Sequence, residues 1–233
     1  SCCPSWSAMA KMEFPDNADA ISMALTPMVL SARLIRKNHP KAKIVFVGPC
    51  SAKKLEAMRR SVKSEVDFVL TFEELAGMME AKGIAFESLA DDKSDFEASS
   101  RDGRGFAVSG GVATAVVNAI HDKHPDLEVK VMAAEGLDNC RAMMKDAVKG
   151  KYPGYLLEGM ACPGGCVAGA GTLSAINRAS AAVKRYAKTA AKDVATKNEY
   201  NPLIPELAGS VSPEVEIAEV REVQKPVQEP RKN

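Results

Sequence analysis

The sequence predicts an α/β protein, with parallel-type sheets flanked by helices, a functional site at the strand ends and an irregular C-terminal tail. Three observations carry that expectation. Short apolar runs bounded by turn residues recur at 43–48, 66–70, 128–133 and 155–158. Longer stretches with helical spacing of apolar residues lie between them. Strands that alternate with helices imply a sheet whose strand ends open into loops, and those loops are where such folds build their sites.

Taken in order, residues 17–38 carry a helix-period pattern broken at Pro27, which places a loop or turn near Thr26-Pro27. Residues 43–48, Lys-Ile-Val-Phe-Val-Gly, read as a buried strand that Pro49 ends. A helix follows from Ser51 to Lys63, with Leu55, Met58 and Val62 spaced for one face. Val66 to Leu70 is a second strand, and Thr71-Phe72-Glu73-Glu74 resembles a capping box opening a helix to Lys82. Residues 88–105, rich in Asp, Ser and Gly, read as a surface loop. Ser109-Gly110-Gly111 precedes an Ala- and Val-rich helix to about His121. A strand at Glu128–Ala133, a helix at Asp138–Val148 and a short strand at Tyr155–Glu158 lead to a turn holding Cys162 and Cys166. A basic, Ala-rich helix then runs from about Ser174 to Lys197. From Asn201 on, Pro, Glu, Val and Lys follow no period, as in an extended or disordered tail. The expected division is one domain over 1–197 and a tail over 198–233.

The composition excludes several classes of function. With 233 residues, 46% hydrophobic and 26% charged, the chain suits one good core. A net charge of +1 gives no electrostatic case for nucleic acid or an anionic membrane. No run approaches the roughly 20 apolar residues of a membrane helix. The first residues carry no basic-then-apolar leader, and a cytoplasmic location is expected. The chain opens without Met inside its first cysteine motif, so a fragment or processed subunit is expected, with part of the fold supplied elsewhere.

The cysteines are the chemically informative residues. Five of the six lie in Gly-, Pro- and Ser-rich settings: Ser1-Cys2-Cys3-Pro4, Gly48-Pro49-Cys50-Ser51 and Ala161-Cys162-Pro163-Gly164-Gly165-Cys166. Glycines and prolines there let backbone approach something bulky, which core thiols do not need. The chain lacks the small size and secretory context of a disulfide scaffold, so metal ligation is the better reading. Cys162 and Cys166 stand four apart, placing both sulfurs on one side of a helical turn. Zinc or an iron–sulfur cluster could use such sulfurs. Paired Cys-x-x-Cys knuckles are absent, which favours a cluster buried between halves of the fold. Cys140 reads as a buried thiol, and His39, His121 and His124 have no ligand spacing.

Three segments together resemble the signature motifs of iron-only hydrogenases, in the family's order. They are Ser1-Cys2-Cys3-Pro4-Ser5-Trp6, Pro49-Cys50-Ser51-Ala52-Lys53-Lys54-Leu55-Glu56 and Glu158-Gly159-Met160-Ala161-Cys162-Pro163-Gly164-Gly165-Cys166. The likeness covers about residues 1–175 and implies a catalytic domain that interconverts hydrogen with protons and electrons. It implies an H-cluster, a 4Fe-4S cube joined through a cysteine to a two-iron subcluster with CO and CN ligands. By motif position Cys3, Cys50, Cys162 and Cys166 would be the metal ligands, Cys166 bridging to the two-iron unit. Cys2 would stay unligated and relay protons, with Ser22 and Glu56 continuing the path. Lys53 would donate to a bound cyanide, and Pro27, Phe106 and Met160 would line the two-iron unit. Implied partners are ferredoxin or an iron–sulfur electron-transfer domain, H2 and protons, and the part of the fold before the first motif.

This sequence departs from the family at Gly48, where many relatives carry Met, and at Met28, where many have a polar residue. Gly169-Ala170-Gly171-Thr172 replaces a more glycine-rich stretch, as in a divergent subgroup. One rival is a non-catalytic, hydrogenase-like iron–sulfur assembly or prelamin-recognition-factor-like protein. A hydrogen sensor with the same site is another, and a zinc-binding structural module is more distant. Intact Cys2, Lys53 and Glu56 argue against the first, because a cube alone needs neither a thiol relay nor a cyanide donor.

Overall fold

A computed structural model describes residues 2–90 and 99–208. The fold opens with a helix not anticipated from the sequence, α1 (Pro4–Glu13), which Pro4 starts at a position where its missing N–H is no loss. A 3-10 turn at Pro15–Ala20 leads to α2 (Pro27–Asn38), whose N-cap Thr26 accepts from the Val29 amide at 3.5 Å. The break expected near Thr26-Pro27 is therefore the start of a helix.

Strand β1 (Val45–Gly48) runs parallel to β2 (Phe68–Thr71), with Val45 opposite Phe68 and Gly48 opposite Thr71. Between them lies α3 (Ala52–Met58), much shorter than the helix expected to Lys63. The helix ends at Arg59, whose ψ of 123° leaves the helical range. Beyond it the Arg33 guanidinium takes the Val62 carbonyl at 2.6 Å and the Lys63 carbonyl at 3.3 Å, beside a turn where Lys63 and Glu65 have positive φ. The expected apolar face is also inverted. Leu55 and Met58 are 51% and 78% exposed, while Lys53 and Glu56 are buried. The capping box at Thr71 does form, with Thr71 Oγ1 accepting from Glu74 N at 3.1 Å and Glu74 Oε2 accepting from Thr71 N at 2.8 Å, and it opens α4 (Phe72–Ala81).

The expected loop at 88–105 lies partly outside the described residues, but its end is helical: a single turn, α5 (Arg101–Arg104), then a 3-10 turn at Gly105–Ala107. Helix α6 (Gly111–Lys123) follows, and β3 (Lys130–Glu135) pairs in parallel with β4 (Tyr155–Met160), setting Glu135 opposite Met160. Helix α7 (Leu137–Val148) connects them. The sheets are thus parallel and flanked by helices, as the sequence implies, and among the described residues each has two strands. Helix α8 (Ile176–Lys188) stops short of Lys197. The carbonyls of Lys192 and Asp193 instead accept from the Arg101 and Asp102 amides at 2.7 and 3.2 Å, satisfying the first turn of α5.

Residues 201–208 correct the expected tail. They form a 3-10 turn at Asn201–Leu203 and α9 (Ile204–Ala208), held on α2 because Arg33 also binds the Leu207 and Ala208 carbonyls at 2.6 Å each. The tail beyond them lies outside the described residues. Among the described residues no helix is long and apolar enough to cross a membrane. One core gathers Met28, Val29 and Val62 behind the first sheet. The other is sulfur-rich and includes Cys3, Met9, Cys140, Met144 and Met160 around Trp6.

Candidate metal centre

Each cysteine loop sits at the end of a regular element. Cys3 is the N-cap of α1 in extended backbone, and its carbonyl accepts from Ser7 N at 2.9 Å. Cys50 follows β1 through Gly48 and Pro49 and precedes α3. Cys162 and Cys166 follow β4. The chain between them is not the helical turn expected from their spacing. Gly164 and Gly165 have φ of +93° and +94°, a left-handed region open to glycine, and a 3-10 turn starts only at Cys166. The Gly165 amide donates to the Cys162 carbonyl at 3.0 Å and closes the turn.

These loops, far apart in sequence, are fastened to one another. The Gly171 amide donates to the Pro49 carbonyl at 2.9 Å, and a Cβ on Gly169 would lie 2.2 Å from that same oxygen. Only glycine lets the third cysteine loop approach the second so closely. Ser109 N donates to the Gly164 carbonyl at 3.1 Å, tying the same loop to the segment before α6. Lys53 Nζ donates to the Cys2 carbonyl at 3.2 Å and joins α3 to the first loop.

The electrostatics report the same convergence. Burial first, and then Cys2, Cys3 and Cys50, push the Cys166 thiol up to about 12. Burial, then Cys3 and Cys50, raise that of Cys162. Burial also raises Cys2, against the lowering pull of Lys53. Thiols from three loops therefore feel one another across one partly buried space. All six cysteines are free thiols. A set of sulfur donors suits zinc or iron–sulfur chemistry, and metal binding would displace protons these thiols otherwise hold tightly. Among the described residues no three of His, Cys, Asp and Glu gather closely enough for a single metal ion.

The other expected site residues divide. Lys53 and Glu56 are 8% and 3% exposed, and their ion pair spans 2.6 Å. The second Glu56 oxygen accepts from Thr26 Oγ1 at 2.5 Å, so both carboxylate oxygens are engaged. Met160 is 1% exposed and packs in one core with Cys3 and Trp6, against which Cys2 also rests. Phe106 is half-buried in the turn before Ser109. Pro27 and Ser22 are exposed, and Ser22 Oγ accepts from the Ala24 amide at 3.3 Å, outside the buried Lys53–Glu56 group. Cys140 is buried as expected, its thiol donating to the Ala134 carbonyl at 3.3 Å.

Two carboxylates went unassigned in the sequence. Glu158, buried, accepts from Gly110 N at 2.9 Å and Ala113 N at 2.8 Å, supplying the anionic cap that α6 lacks from its own first residue. Glu135 accepts from Gly164 N at 3.0 Å, inside the cysteine turn. Both end or interrupt apolar strands, where an acidic residue needs a partner, and that was the available signal.

The family described as "Iron only hydrogenase large subunit, C-terminal domain" matches residues 1–170. The periplasmic [Fe] hydrogenase large subunit of Nitratidesulfovibrio vulgaris is 32% identical over 73% of this chain and 50% of its own length. The human (Homo sapiens) nuclear prelamin A recognition factor is 27% identical over 73% of this chain and 47% of its own length. The chain spans about half the length of these curated relatives. A solved FeFe-hydrogenase structure from Chlamydomonas reinhardtii superposes with a TM-score of 0.65 at 22% identity, over 89% of this chain and 70% of that one.

Proposed function

The chain belongs to the family of iron-only hydrogenase large subunits, C-terminal domain, and from that premise we propose that it carries the H-cluster site of an enzyme interconverting H2 with protons and electrons. What supports the reading is that thiols from three distant loops act on one another, Cys2, Cys3 and Cys50 on Cys166 and Cys3 and Cys50 on Cys162, in loops tied together by main-chain hydrogen bonds. Cys3, Cys50, Cys162 and Cys166 would hold a 4Fe-4S cube, and Cys166 would also reach a two-iron subcluster with CO and CN ligands. When bound, that group would supply the redox chemistry and the cleavage or formation of the H–H bond.

The chain's own residues bind, orient and move protons. Cys2 Sγ would hold and release a proton beside the core, while Lys53 fixes the Cys2 carbonyl. The ammonium of Lys53 would donate to a cyanide, a charge-assisted bond. Glu56 orients Lys53 and would also continue the proton path, its other oxygen accepting from the Thr26 hydroxyl. Ser22, exposed, would stand at the solvent end of that path, and Met160, Phe106 and the Thr26-Pro27 turn would exclude water from the two-iron unit. Electrons would come from ferredoxin or an iron–sulfur domain, and the remaining length of the relatives would complete the fold. A cytoplasmic location is tested by fractionation.

A second reading, an assembly or recognition factor with a cube and no two-iron unit, is favoured by the similarity to the prelamin A recognition factor. Infrared spectroscopy of anaerobically matured protein separates the two. Bands from CO and CN support the hydrogenase reading. A full cube without them overturns it in favour of the second. A hydrogen sensor would show the bands with little turnover.

A further inference from the structure

The Cys162–Cys166 turn is gripped from outside by a carboxylate. We propose that Glu135 is a positioning residue for this turn, holding the Gly164 amide and with it the placement of both thiols and the potential of the iron–sulfur core. The proposal rests on the iron–sulfur reading and adds a residue that lies in none of the three motifs.

Glu135 is the last residue of β3, in register with Met160 of β4. The chain then turns away at Gly136, whose φ is +79° and whose amide donates to the Met160 carbonyl at 2.9 Å. That turn leaves the Glu135 side chain beside the cysteine loop, where Oε2 accepts from Gly164 N at 3.0 Å. Asn139 Nδ2 donates to the Glu135 carbonyl at 3.0 Å and fixes the main chain from behind. On its other side Gly164 gives its carbonyl to Ser109 N at 3.1 Å. Two successive glycines have the widest backbone freedom, so the distance between the flanking thiols depends on restraint from outside.

The bond also has an electronic consequence. Reduction potentials of iron–sulfur clusters respond to hydrogen bonds on their sulfurs and to nearby charge. Glu135 takes an amide that sits between two thiolate ligands, so this donor is not free for sulfur. The carboxylate also adds negative charge close by. Both effects favour the oxidised core and hold its potential low.

The test uses the full chain with its cube reconstituted anaerobically from iron and sulfide, followed by potentiometric titration with electron paramagnetic resonance and by chelator challenge. Glu135→Gln keeps an acceptor for Gly164 but loses the charge, so its midpoint moves positive with iron retained. Glu135→Ala loses both, so its midpoint also moves positive and it gives up iron about 10-fold faster or more. Variants matching the parent in midpoint and iron retention overturn the proposal. If Glu135→Ala does not fold, the midpoint of Glu135→Gln decides. A parent that binds no cluster sinks the iron–sulfur reading and this proposal with it.

Discussion

Around β1 and β2, the helix after the cysteine turns Leu55 and Met58 outward and buries Lys53 with Glu56. Around β3 and β4, two acidic side chains go instead to main-chain amides, Glu158 to the start of α6 and Glu135 to the cysteine turn. The first half keeps an ammonium inside, held by Glu56 and the Cys2 carbonyl, at a desolvation cost that packing alone would not select. The second half fixes backbone. The difference teaches a division of labour: one half buries a charged donor beside the first cysteine loop, and the other ties carboxylates to main chain, including the turn between Cys162 and Cys166.

Substitutions can break or sharpen that contrast. The largest effect is expected where the halves meet. Cys2→Ala removes the thiol but leaves the carbonyl that Lys53 holds. Iron content should stay level while hydrogen turnover in the matured enzyme falls about 100-fold or more, the usual scale for a lost proton-transfer group. Unchanged turnover would remove Cys2 from the proton path. Next is Lys53→Met, which leaves Glu56 buried without its cation and should cost about 3–5 kcal/mol in urea unfolding. The adjacent Lys54→Met breaks only an exposed pair with Glu74 and should cost about 0–1 kcal/mol. Equal losses would erase the distinction between buried and exposed pairs.

In the second half, Glu158→Gln turns one amide acceptor into a donor facing an N–H, and should cost about 1–3 kcal/mol in the same assay. A smaller, pH-limited effect belongs to Asp67, just before β2. Its carboxyl is lowered from 3.8 to about 2, first by the Ile44 amide and then by Lys43, with Arg36 also bonded. A depressed acid stabilises the fold above its ordinary value and loses that contribution as pH falls. Acid titration should therefore show Asp67→Asn and the parent converging between about pH 4 and pH 2. A gap as wide at about pH 2 as at about pH 6 would show that Asp67 acts by something other than its charge.

Much of this was legible in the sequence. An apolar run ending in Gly-Pro located β1, the run at Tyr155–Glu158 located most of β4, Thr71-x-x-Glu74 marked the start of α4, and the cysteine settings pointed to the candidate site. What stayed hidden depends on tertiary partners. Helix α3 stops where Arg59 turns extended, and Arg33, 29 and 30 residues earlier, binds the carbonyls of the turn that follows. Past the end of α8 the carbonyls of Lys192 and Asp193 serve α5. The apolar spacing of Leu55 and Met58 misled because the site demanded the opposite face. Glu135 carries no motif around it, and only the folded loop reveals what it holds.

Mössbauer spectroscopy of the reconstituted chain beside Cys50→Ser and Cys166→Ser addresses the centre itself, since the two residues come from opposite halves. If both halves ligate one core, the parent shows a single cubane and each substitution removes or degrades that same signal. A cubane that survives Cys50→Ser unchanged would mean that the second half binds metal without the first, and the shared centre would be wrong.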